Sequence, residues 1–336
     1  MRKMTLLIAC FFMAQFGSAQ VLFEEDFDNY PAGHLNTDYT GTTTGQGGWR
    51  AERLANGSVV MAMVAPEAGK GNVLTITTNG VATNEYVYIR QDDGVIDALW
   101  NNRTAGNNVL KLEFEIYGSV FFYSVVSLPR TIPHHPNPLI QMYFAATTGH
   151  QINGIHVGSH RNGLLKQYDT TTFPYDMWIK AEMFIDYNTQ KAYFYIPTLN
   201  LFRADTLNPI SRDIPINIGL MGGYMQPTSV VKYDNIKLTA LQSVPTYIDA
   251  LSTREWLAST FNLYPNPTEN VVNITNSENM TVQQVAVYDV TGKQLSIHSF
   301  NNETEIQLNV ENLASGVYML HIKTNEGAAV KKLVKK

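Results

Sequence analysis

At 336 residues the chain exceeds the usual size of one domain, so two folded units with appendages are expected. Only 16% of its residues are charged while 11% are aromatic, a composition that suits β-rich proteins better than charged helical ones. A net charge of −5 excludes the basic field that nucleic acid or an anionic bilayer requires, and the single cysteine, Cys10, excludes a disulfide framework.

Arg2 and Lys3 precede an apolar stretch from Leu6 to Phe16 that is too short to span a membrane, and small residues follow at Gly17, Ser18 and Ala19. This pattern predicts a Sec signal peptide over residues 1–19, cleaved between Ala19 and Gln20. A rival reading takes Leu7-Ile8-Ala9-Cys10 as an acylation site at Cys10, at the cost of a shortened hydrophobic core. No other apolar run is long enough to cross a bilayer, so no transmembrane segment is expected in the mature chain.

Residues 20–241 read as a succession of short strands. Over 109–117, Leu110, Leu112, Phe114 and Ile116 alternate with Lys111, Glu113 and Glu115, giving an oily and a charged face. Ile179 to Ile185 repeats the pattern, and residues 186–190 turn the chain into a partner strand from Ala192 to Ile196. No long segment keeps a helical period, so the fold class expected is all-β, a central antiparallel β-sandwich. Residues 242–260 hold Pro245 and lose strand periodicity. They read mainly as a linker, although Ser252-Thr253-Arg254-Glu255 has the form of a helix capping box. Strands resume over 261–336 in a smaller unit of about seven, the number of an immunoglobulin-like sandwich.

This last unit resembles a known family. Leu263-Tyr264-Pro265-Asn266-Pro267, Val287-Tyr288-Asp289-Val290-Thr291-Gly292-Lys293 and Leu313-Ala314-Ser315-Gly316-Val317-Tyr318 stand in order, followed by Lys331, Lys332, Lys335 and Lys336. Together they resemble the C-terminal sorting domain of type IX secretion, the Por system. The resemblance implies the type IX secretion machinery and a sorting protease as partners, and a secreted or outer cell surface location reached through the periplasm. The residues also make independent sense: Pro265 and Pro267 blunt an edge strand, Gly292 suits a turn with positive φ, and Gly316 re-enters a strand.

The central unit carries shorter signatures. Phe23-Glu24-Glu25-Asp26-Phe27 near its start and Tyr233-Asp234-Asn235-Ile236-Lys237-Leu238 at its end resemble the first and last strands of concanavalin A-like (laminin-G-like) jelly rolls. Strand parity turns Glu25 inward with Phe23 and Phe27, and Asp234 inward with Ile236 and Leu238. Two inward carboxylates need a cation, so a structural Ca²⁺ held by Glu25 and Asp234 is expected, the alternative being that both are solvated at the sheet rim.

Catalysis finds less support. Glu113-Phe114-Glu115-Ile116-Tyr117-Gly118 resembles the E-x-D-x-x-E strand of retaining glycosidases on this fold, but Gly118 stands where the second acid is needed. A polysaccharide lyase acting on a uronate-containing glycan is the alternative enzyme, with Gln151, His156, Arg161 and Tyr168 as its candidate residues. The reading favoured is a non-catalytic carbohydrate-binding or adhesion module for an extracellular polysaccharide. Trp49, Trp100, Tyr143 and Tyr175 are its candidate stacking residues, each weighed against a place in the core. A purely structural surface role is the remaining alternative.

Overall fold

Apolar–polar alternation builds most of this chain into strands, each with one face turned to a core. The computed structural model describes residues 19–54, 60–78, 86–119, 122–129, 138–146, 154–159, 173–207, 216–223 and 229–336. The expected leader lies outside the described residues apart from Ala19. In chain order the elements begin with β1 (Gln20–Glu25), β2 (Gly33–His34), β3 (Trp49–Leu54), β4 (Val60–Glu67), β5 (Gly71–Thr78), β6 (Tyr86–Gln91) and α1 (Val95–Asn101). They continue with β7 (Val109–Gly118), β8 (Phe122–Pro129), β9 (Pro138–Ala146), β10 (Gly154–Ser159), β11 (Trp178–Asp186), β12 (Lys191–Ile196), β13 (Leu201–Thr206), β14 (Gly219–Gly223) and β15 (Val230–Leu241). The remainder are α2 (Thr246–Thr260), β16 (Phe261–Tyr264), β17 (Val271–Asn276), β18 (Val282–Asp289), β19 (Gln294–Glu303), β20 (Ile306–Asn309), β21 (Gly316–Thr324) and β22 (Ala328–Lys335).

Two units separate. The first runs to Val244, and the second from Pro245 to Lys336 with Phe202–Ala204 grouped alongside it. The first is an antiparallel sandwich. One sheet runs β13-β12-β11-β7-β15-β5-β4-β2, with β1 also paired to β15, and the other runs β10-β9-β8-β14-β6-β3. Leu110, Leu112, Phe114 and Ile116 of β7 are buried in the same core as Ile140, Met142 and Phe144 of β9. The rings of Phe114 and Phe144 meet edge-on at 6.1 Å. Each such fully buried side chain contributes about 1.5–3 kcal/mol, which is why the alternation dictates the face.

One parity expectation is overturned on β15. Its register against β7 shifts between Asp234 and Lys237, and Asn235 takes the left-handed conformation at φ 50°. The bulge lets Tyr233 and Ile236 both enter the core. Asp234 therefore lies on the outer face, paired in register with Glu115, rather than inward with Ile236.

The second unit packs the sheet β16-β17-β20 with the sheet β19-β18-β21-β22. Its core holds Phe261, Val272, Ile274, Val285, Val287, Leu308, Leu320, Ile322 and Leu333. The stretch expected mainly as linker is helical over residues 246–260, starting after Pro245 and not at the Ser252 capping box. Its buried residues are Ile248, Leu257 and Thr260, too widely spaced to print an apolar stripe on the sequence.

Candidate functional site

In the second unit each sequence signature performs a structural task. Asn266 clasps the last strand: its side-chain amide donates to the Lys332 carbonyl at 2.9 Å, and its oxygen accepts the Val334 amide at 2.9 Å. Thr268 continues the seam, donating its amide to Val334 and accepting from Lys336. Asp289 folds the following turn by accepting the Thr291 hydroxyl at 2.6 Å and the Thr291 and Lys293 amides at 2.9 and 3.0 Å. Gly292 completes that turn at φ 85°, a conformation that Cβ opposes. Tyr318 donates its hydroxyl to the Ala314 carbonyl at 2.7 Å, closing the Leu313–Tyr318 signature on itself, and Gly316 opens β21. Tyr264 is half exposed at the end of β16, followed by Pro265 and Pro267.

In the first unit the chemistry lies on the outer face of the larger sheet. β7 presents Glu113, Glu115 and Tyr117, flanked in register by Glu182, Lys180 and Trp178 of β11, and β15 adds Lys232, Asp234 and Lys237. A cavity of about 640 Å³ opens here, with Glu24, Asp26, Glu113, Glu115, Lys180, Asn235 and Lys237 among its lining residues. Opposite charges alternate across the strands. Glu113 meets Lys111 at 2.5 Å and Lys180 at 3.1 Å, while Glu115 and Asp234 share Lys70 from the β4–β5 turn. Burial would raise the carboxyls of Glu113 and Glu115, but the lysine partners outweigh it and hold both below the usual range. Burial dominates at Asp234 and pushes its carboxyl up. One row along, the Tyr117 and Trp178 rings pack at 5.9 Å, with Lys232 over the first at 4.7 Å and Lys70 over the second at 4.5 Å. Tyr175 and Met177 stand exposed just before Trp178.

Each of the two carboxylates expected to hold calcium has protein partners. Glu25 is buried, and its carboxylate accepts the Phe27 amide at 2.8 Å, the Trp49 indole at 3.1 Å and the Tyr30 hydroxyl. Asp234 turns instead to Lys70, 3.2 Å away, and to the Asn235 amide at 2.8 Å. Among the described residues no group of three or more His, Cys, Asp or Glu is arranged to hold a metal ion.

Trp49 and Trp100 are corrected as stacking candidates, since both are fully buried. Trp49 serves Glu25, and Trp100 packs on Tyr187 at 5.3 Å beneath the Arg103 guanidinium. Tyr175 is 51% exposed, as a stacking residue needs to be, and Tyr143 is partly buried. Tyr117 and Trp178, which were not among the stacking candidates, share the outer face with Glu115 and Lys180 by strand alternation. Gly118 cannot stand in for an acid, because it faces the core where an added Cβ would lie 2.5 Å from the Phe122 ring.

Of the lyase candidates, Gln151, Arg161 and Tyr168 lie outside the described residues. His156 is buried on β10, directly opposite Tyr143 of β9. Their transverse row continues on the outer face of the smaller sheet to Tyr88 of β6, whose hydroxyl is hydrogen-bonded to Ser127 over Gly219. Burial raises the phenols of both Tyr88 and Tyr143.

Residues 262–336 match the family model described as the secretion system C-terminal sorting domain. Comparison with curated proteins gave no match. Among solved structures, a sialidase is similar at TM-score 0.42 and 8% identity, over 79% of this chain and 23% of that one. The CBM2 module of the Lactobacillus casei BL23 phage J-1 evolved Dit is similar at 0.42 and 8%, over 68% and 99%. The lectin UEA-II complexed with galactose is similar at 0.38 and 10%, over 65% and 98%. The family match, with the motifs in place on β16, β18 and β21, makes the end of this chain a secretion system C-terminal sorting domain, which directs the protein to the outside or surface of its cell.

Proposed function

We propose that the protein crosses the inner membrane on a leader ending at Ala19 and leaves the cell through the type IX machinery. Its sandwich then acts as a non-catalytic carbohydrate-binding module at the surface. The observation that carries the binding reading is the outer face of the larger sheet. There, a cavity of about 640 Å³ is floored by carboxylates, lysines and Asn235, and the Tyr117–Trp178 pair stands one row along the same strands from its Glu115 and Lys180. Its size falls within the range of small-ligand sites. Carboxylate and amide oxygens accept sugar hydroxyls, lysines donate to ring and hydroxyl oxygens, and the aromatic residues offer apolar area to C–H faces. A glycan array probed with residues 20–336 tests it. Binding that weakens about tenfold in Trp178→Ala, the scale of one lost aromatic contact, supports the site. No glycan bound favours adhesion to protein or a structural role instead.

A second reading, uronate lyase chemistry, is favoured by one observation: His156 and Tyr143 sit opposite each other, two groups suited to proton transfer. Incubation with polyuronates and measurement of unsaturated uronate absorbance decides it.

A further inference from the structure

We propose that the export signal of this chain is the folded body from Pro245 to Lys336, with α2 an integral part of it, and not the motif-bearing strands alone. This rests on the sorting reading of residues 262–336 and extends it beyond the residues that match. Leu257 of α2 is 1% exposed and belongs to the same core as Phe261, Ile274 and Leu333. It lies on the backbone of Gly327, where an added Cβ would come within 2.9 Å of its Cδ1. The helix end is bonded from both sides. The Ser277 amide donates to the Thr260 carbonyl at 3.2 Å, and Lys331 donates its ammonium to the Ala258 carbonyl at 3.0 Å. Helix C-termini attract cations because their last carbonyls lack backbone partners, so Lys331 meets a demand that α2 creates. Its burial lowers its pKa, unlike a tail lysine spread in water. One member of the lysine-rich end is thus committed inside the unit. Without α2, Leu257 would leave a hole over β22 and Lys331 would lose its acceptor.

The test uses the full chain, with residues 246–260 replaced by a Gly/Ser segment of the same 15-residue length. The secreted fraction is expected to fall to the level seen when residues 261–336 are deleted. Leu257→Ala in the intact helix is expected to raise the unfolded fraction of the second unit by about thirtyfold or more, the scale of a core leucine truncation. Lys331→Arg should export normally and Lys331→Met less well, since only arginine keeps a donor for Ala258. Hydrogen exchange on the wild-type chain gives a measurement independent of export: peptides from 246–260 should be protected as strongly as those of β22. Normal secretion of the replaced chain, or exchange of 246–260 at coil rates, overturns the proposal. If deletion of 261–336 also leaves secretion intact, the sorting reading itself fails.

Discussion

Lys70 places its ammonium 3.2 Å from Asp234 across the outer face of the larger sheet, where it joins the Asn235 amide in partnering a buried carboxylate. The Asp234 side chain is only 3% exposed and that of Lys70 18%, so the pair is poorly screened. Lys70→Met should destabilise the first unit by about 2–3 kcal/mol, because removing one partner strands the other charge. Asp234→Asn in that background should restore part of the loss. The pH dependence has a definite sign. Burial raises Asp234 in the folded state, so its charge costs stability at neutral pH, and the cost disappears as pH falls through the raised value. Urea midpoints of Lys70→Met should therefore approach wild type on acidification; a constant gap would reject the pairing.

Glu25 makes a prediction about metal. Its two oxygens take hydrogen bonds from Phe27, Tyr30 and Trp49, a donor set that satisfies the carboxylate without a cation. Burial and the bond to Glu25 together push the Tyr30 phenol up, keeping it a donor at every physiological pH. Glu25→Gln should cost about 1–3 kcal/mol, since an amide NH₂ would face the phenol and the indole. The melting temperature should be the same in excess chelator and in added Ca²⁺. A chelator-dependent loss that vanishes in Glu25→Gln would instead support a calcium site at Glu25.

Gly118→Glu tests whether a glycosidase pair is one substitution away. The side chain would start within 2.5 Å of the Phe122 ring and carry a charge into the core. Overpacking alone costs about 1–3 kcal/mol, and the buried carboxylate adds to it. The expected result is a less stable protein with no glycoside hydrolysis. A stable, hydrolytic variant would show that the strand can turn this position outward.

What the sequence revealed and what it concealed divide along contact distance. The outer placement of Glu113 and Glu115 was legible because alternation over 109–117 is local. The sorting motifs were legible through their resemblance to a known family; Asp289 and Tyr318 find their partners within four residues, whereas the Asn266 clasp on Lys332 and Val334 spans more than sixty and left no local trace. Trp49 and Trp100 misled, because a tryptophan beside turn residues reads the same whether tertiary packing later covers it or not. Asp234 misled through a single left-handed residue, Asn235, which reversed the parity on which its inward placement depended. Lys70 lies 164 positions from Asp234, and no local pattern announces such a partner.

Asp289 carries the last prediction, in the second unit. Its carboxylate receives the Thr291 hydroxyl and the Lys293 and Thr291 amides, and these bonds hold it below the ordinary aspartate range. A depressed value means that the folded turn binds the proton less readily than the unfolded chain. The contribution of Asp289 is therefore full above the unfolded value of about 4 and is lost as pH falls through the folded one. Amide exchange at Thr291 and Lys293 should stay slow from neutral pH down to about 4, after correction for intrinsic rates, and accelerate below it. Asp289→Asn should loosen the turn at neutral pH and abolish the acid step, because the amide oxygen is a weaker acceptor and does not titrate. A step that persists in Asp289→Asn would assign the titration to another group and leave the aspartate of the second motif without this role.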